Sequence, residues 1–155
     1  MKSTIKYGKK ADRALSMWVK LVRAANTFQS LTAKDIARYN LTVAQFGVIE
    51  TLGHLGPMTV GQICSKKLSS GGNMTVVVDN LEKEDYVERC ANPDDRRSTV
   101  IKLTPKGIAK FSEMFPSHAQ YVEEMCSVLS DKELQELSDL LKKLGLRLKE
   151  KYPSP

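Results

Sequence analysis

Apolar residues recur near the start of the chain at steps of three and four: Ala11, Ala14, Leu15, Trp18, Val22 and Ala25. That spacing puts them in one stripe and predicts a long helix over about residues 9–38, with no Pro or Gly inside it. Leu41 leads into Thr42-Val43-Ala44-Gln45, where the hydroxyl can take a first-turn N–H and the Gln side chain can reach back, a capping box. Phe46, Val48, Ile49 and Leu52 give the helix that follows an apolar side. Gly53 reads as its end, and Gly56-Pro57 as the turn beyond.

Thr59 and Gln62 form a second capping box, opening a short helix to about Lys67. Leu68 to Gly72 reads as a turn with two serines as candidate caps. Asn73 to about Glu84 is predicted as a third short helix with Met74, Val77, Val78 and Leu81 inward. Its run Val76-Val77-Val78 lowers intrinsic helix propensity, so burial of Val77, Val78 or both must hold it. Tyr86–Cys90 and Ser98–Leu103 then alternate with period two around a polar tip, the pattern of a hairpin. Thr104-Pro105 opens another helix, which Pro116 can kink or restart. Ser130 and Glu133 make a third capping box, and Leu134, Leu137, Leu141, Leu144 and Leu148 follow as a heptad-like seam. Tyr152 to Pro155 should fray. The expected fold is mainly α with a small β-hairpin: a winged helix-turn-helix with long flanking helices.

Length and composition narrow the class. A chain of 155 residues is one domain or two small lobes, large enough to fold without disulfide or metal. No stretch reaches a membrane-spanning length of apolar residues. Met1 to Lys10 is basic with no apolar run behind it, so no secretory signal is expected. Three widely spaced cysteines, Cys64, Cys90 and Cys126, are not a disulfide framework, and the cytoplasm is the expected compartment. The formal charge of +6 permits a polyanionic partner, but it is unevenly placed. Residues 1–40 hold nine basic and two acidic residues, 41–104 seven and eight, and 105–155 eight of each. The winged-helix segment is thus about neutral, so a polyanion bound there must be held by a few placed groups rather than by bulk charge. Lys2, Lys6, Lys9 and Lys10 can reach flanking phosphates or simply solubilise the chain.

Ser69, Ser70, Gly71, Gly72, Asn73 and Thr75 surround a helix start, where free N–H groups and the helix dipole suit phosphate. The glycines allow close backbone approach, and Asn73 carries both a donor and an acceptor for a base edge. Lys66, Lys67 and Lys83 can add phosphate contacts. The same residues also fit a turn with an ordinary cap and solvated lysines; the wing behind them favours DNA. At the wing tip, Asp95 stands two residues from Arg97 and can orient its guanidinium toward a narrow, negative minor groove. Arg96 adds a second cation. The alternative is a surface ion pair, worth about 0–1 kcal/mol. Apolar stripes at both ends of the chain favour a two-fold partner over packing on each other, and two recognition helices would then meet a pseudo-palindrome.

The motif blocks resemble a known family. They are Leu41-Thr42 with Gln45; Thr59 with Gln62; Met74-Thr75 with Val78-Asp79-Asn80-Leu81-Glu82-Lys83; Val87-Glu88-Arg89; Asn92-Pro93-Asp94-Asp95-Arg96-Arg97; and Leu103-Thr104-Pro105-Lys106-Gly107. In type and spacing they are similar to the MarR family of transcription regulators. The match covers residues 41–107 in motif detail and the remainder by helix order. The stretch Phe115-Pro116-Ser117-His118 looks like the branch containing quinone- and catechol-responsive repressors.

The resemblance implies a homodimeric regulator of double-stranded DNA, a repressor released by a small aromatic effector. Residues 1–155 would form a single MarR-type domain, with 1–40 and 117–155 as dimerisation helices and 41–107 as the DNA-binding lobe. It implies Asp95 and Arg97 as the wing pair. It also implies a ligand crevice, for which Trp18, Phe28, Tyr39, Phe46, His54, Phe111 and Phe115 are candidate linings, though any of them can equally be core. The family's thiol-sensing branch keeps its reactive cysteine near the first helix, where this chain has none. Cys64 is read as a small core residue, Cys90 as part of the wing and Cys126 as near the dimer seam. A thiol-responsive repressor and a winged-helix module that binds protein are the alternatives. No metal or other cofactor is expected, since His54 and His118 have no companion ligand at suitable spacing. No enzyme is expected either: the chain shows no nucleophile–base set and no phosphate loop.

Overall fold

The computed structural model describes residues 6–66, 74–92 and 98–152. Its elements are α1 (Lys9–Ala37), α2 (Val43–Leu55), α3 (Val60–Lys66), α4 (Met74–Lys83), β1 (Val87–Ala91), β2 (Thr99–Leu103), α5 (Pro105–Cys126) and α6 (Asp131–Lys151). The chain divides into two compact units, Met1–Pro116 and Ser117–Pro155.

In the first unit, α1 runs for 29 residues, and only Asp35 and Ile36 at its C-terminal end are buried. Asn40, in the left-handed region at φ 58°, turns the chain out of it; a short polar side chain tolerates that conformation better than most. Thr42 and Gln45 close the expected capping box, and so do Thr59 and Gln62. Between them, α2 passes straight through Gly53 and stops at Gly56, whose φ of 79° favours glycine. The expectation that Gly53 ends the helix is therefore corrected. Its missing side chain serves packing, because a Cβ there would lie 2.5 Å from the Phe111 ring.

The core gathers Phe46, Val48, Ile49 and Leu52 of α2 with Ile63 of α3 and Met74, Val78 and Leu81 of α4. Val87, Ile101 and Met114 close it from the wing and α5. Val78 is fully buried and Val77 packs at the margin, which offsets the poor helix propensity of the valine run. Cys64 is exposed, contrary to the core position expected for it. On the seven-residue α3 the inward position goes to Ile63, and the next residue turns about 100° away.

Strands β1 and β2 pair antiparallel from Val87↔Leu103 to Ala91↔Thr99. A further bridge, with no counterpart in the sequence reading, joins Met58 to Ile101: each N–H donates to the other's carbonyl, at 3.0 and 2.7 Å. The link between α2 and α3 thus adds a short third rung to the wing. Helix α5 continues through Pro116. In the second unit, α6 opens with the Ser130–Glu133 capping box and buries no residue.

Candidate nucleic-acid interface

Helix α4 buries one side through Met74, Val78 and Leu81, leaving Thr75, Val76, Asn80, Glu82 and Lys83 exposed. Of the DNA-contact candidates, Thr75 and Lys83 lie on this exposed side. Ser69, Ser70, Gly71, Gly72 and Asn73, and the wing-tip Asp95, Arg96 and Arg97, lie outside the described residues.

What fixes the direction of α4 is the turn that follows it. The Tyr86 N–H donates to the Leu81 carbonyl at 2.9 Å, and Asp85 takes a left-handed φ of 61°. The first turn of α5 grips that turn from outside. The Thr104 hydroxyl donates to the Asp85 carbonyl at 2.6 Å and accepts the Gly107 N–H at 3.0 Å, so one side chain caps α5 and anchors the turn. The Lys106 ammonium donates to the Glu84 carbonyl at 2.6 Å and sits 4.7 Å from the Tyr86 ring centroid, a cation–π distance. Gly107 must be glycine: a Cβ there would meet the Tyr86 carbonyl oxygen at 2.0 Å.

The wing is tied to α4 by charge. Arg89 of β1 donates to Asp79 at 2.6 Å and also to Glu82, two acids one turn apart on α4. The hydrogen bond to Asp79, with the field of Glu82, holds the guanidinium pKa above its ordinary value despite partial burial. On the wing itself Lys102 pairs with Glu88 at 3.1 Å, and that hydrogen bond raises the ammonium pKa. At the base of the tip, the Asn92 amide donates to the Ser98 hydroxyl at 2.7 Å, and its backbone N–H donates to the Ser98 carbonyl. The sequence places Arg89, Asp79 and Glu82 in its motif blocks without showing that they meet. Their signal was an i, i+3 acid pair followed by an arginine, which becomes a contact only once β1 folds back beside α4.

The candidate ligand linings separate into groups. His54, Phe111 and Phe115 form one aromatic cluster: His54 meets the two phenyl rings edge-on at 5.0 and 4.3 Å, and these stack at 5.3 Å. Tyr39 packs at the core margin with Lys110 5.8 Å from its ring centroid, and its buried hydroxyl has no partner among the described residues. Phe46 is core, only 3% exposed. Trp18 and Phe28 are exposed on α1, and no ring contact among the described residues involves them. Among the described residues, no three His, Cys, Asp or Glu side chains group as metal ligands.

Comparison with known proteins agrees with this architecture. Residues 41–99, spanning α2 to the start of β2, match the MarR family. The chain is 37% identical over 139 residues to the HTH-type transcriptional regulator MhqR of Bacillus subtilis strain 168, covering 90% of this chain and 96% of that one. A crystal structure of a MarR-like transcription regulator from Bacillus cereus ATCC 10987 superimposes with a TM-score of 0.73 at 25% identity, covering 88% and 98% of the two chains. The fold is shared with NadR in complex with 4-hydroxyphenylacetate, with a TM-score of 0.71 at 21% identity and coverage of 93% and 97%. With an exposed α4, a braced wing and a relative this similar over nearly its whole length, the chain belongs to the MarR family of winged-helix, DNA-binding transcription regulators.

Proposed function

We propose that this protein is a homodimeric repressor that occludes a promoter by setting two winged helices on a pseudo-palindromic operator, and that a small aromatic compound releases it. The observation that carries the DNA half is α4: a helix with one face in the core and the other open, its direction held by the Thr104, Lys106 and Arg89 contacts. Its exposed side, with Thr75 and Lys83, would face base edges and phosphate in the major groove, while Ser69 to Asn73 and the Asp95–Arg97 tip supply further contacts. Residues 41–107 would form the reading lobe, with 1–40 and 117–155 as dimerisation helices.

Dimerisation is supported by leucine placement. Leu137, Leu141 and Leu148 of α6 and Leu15, Trp18 and Val22 of α1 are all exposed, on helices too regular in pattern for isolated surface residues. The aromatic effector is supported by the His54–Phe111–Phe115 cluster and by the phenolic ligand of NadR. The protein would act by binding, without catalysis, in the cytoplasm. Exposure of Cys64 favours a second reading, release by thiol oxidation.

Fluorescence anisotropy with the upstream region of its own gene tests the proposal. Salt-sensitive binding that weakens in Arg97→Ala is expected; no binding to that region or to genomic fragments would overturn it. Release by phenols or quinones in a variant lacking all three cysteines would establish ligand sensing, whereas release only when cysteines are present would favour the thiol reading.

A further inference from the structure

Helix α4 carries negative charge on the side it leaves open. Asp79 lies one turn beyond Thr75 and one turn before Lys83, away from Met74, Val78 and Leu81, and Glu82 flanks it toward the wing. Their side chains are 44% and 39% exposed. Left alone, two carboxylates beside a groove lined by phosphate would repel it. Arg89 reaches both at once, with Nη2 on Oδ1 of Asp79 at 2.6 Å and Nη1 on Oε2 of Glu82. Only a guanidinium has donors in a fixed fork that can hold two separate carboxylates; an ammonium would act as a point charge.

We propose that Arg89 is a positioning residue for DNA binding: it neutralises the acid pair on the open side of α4 and draws both carboxylates toward the root of the wing. The proposal rests on the reading that α4 enters the major groove. Arg89 touches no base or phosphate itself, so its effect on DNA passes through Asp79 and Glu82. Removing it exposes two like charges to the phosphates, and removing all three charged groups restores a surface that DNA tolerates.

The test uses a duplex selected from a random pool by the full-length wild-type protein. Affinity is measured for wild type, Arg89→Met, Arg89→Lys and the triple variant Asp79→Asn, Glu82→Gln, Arg89→Met. Thermal melting of each variant confirms the fold. At low salt, Arg89→Met should bind roughly tenfold more weakly, the size expected for two uncompensated carboxylates near phosphate. Arg89→Lys should fall between it and wild type, and the triple variant should recover most of the loss. The deficit of Arg89→Met should narrow as salt rises from about 50 to 200 mM, because screening removes repulsion but not misfolding. Wild-type affinity in Arg89→Met would overturn the proposal. So would a folded triple variant as weak as Arg89→Met. If wild type selects no sequence from the pool, the DNA-binding assignment of α4 itself falls.

Discussion

The winged-helix core and helix α6 use leucine in opposite ways. Leu52 and Leu81 are buried, each held among residues from several elements, whereas Leu137, Leu141 and Leu148 on the seam of α6 are 40% or more exposed. Around the core, polar groups are committed: Thr104, Lys106 and Arg89 each reach a named partner across the chain. On α6 the polar contacts are local, as in Ser130–Glu133, Gln135–Asp139 and Arg147–Glu150. The first region is finished within one chain, and the second pairs its polar groups locally but leaves its apolar side open. Folding and assembly should therefore respond to different substitutions.

The largest contrast is expected between Leu81→Ala and Leu140→Ala. Loss of the fully buried side chain should cost about 2–5 kcal/mol in denaturant unfolding. The exposed one should change stability by no more than about 0.5 kcal/mol. Equal costs would mean that α6 is as well packed as the core. Next, Leu141→Ser with Leu148→Ser should convert a dimer to a monomer in sedimentation and abolish the dependence of melting temperature on protein concentration. An unchanged sedimentation coefficient would place the dimer seam elsewhere. A smaller effect is expected at a cap: Thr59→Ala should destabilise the core by about 1 kcal/mol, by removing the acceptor for the Gln62 N–H.

The smallest effect belongs to Glu133. Its carboxylate accepts hydrogen bonds from the Ser130 backbone N–H and hydroxyl, which hold its pKa below the ordinary 4.5. A carboxylate with a lowered folded-state pKa stabilises at pH above the unfolded value and loses that contribution as pH falls through the folded value. Glu133→Gln should thus melt slightly lower than wild type at neutral pH, and the gap should close in acid. A gap that persists in acid would show that charge is not what the cap uses.

These regions also differed in how openly the sequence displayed them. Local chemistry was legible: the Thr42–Gln45, Thr59–Gln62 and Ser130–Glu133 boxes each form as their spacing predicts, because both partners sit within one turn. The wing was legible from its period-two alternation, and the exposed stripes of α1 and α6 from their three- and four-residue steps. What needed the structure was contact between distant positions. Gly53 resembled a stop signal because nothing near it in sequence announces the Phe111 ring. Cys64 could not be separated from Ile63 by residue type alone, since both suit a core. The Arg89 clamp and the Met58 bridge depend on how far β1 and β2 fold back, which alternation does not encode.

The Met58–Ile101 bridge carries a mechanical consequence. A hairpin rooted only at its ends is a cantilever, free to flex about its base when its tip is loaded. Here a rung from the α2–α3 link braces the beam from the side, at the middle residue of β2. A pull on the tip is therefore shared between the root and a strut, and the lever stiffens against sideways bending.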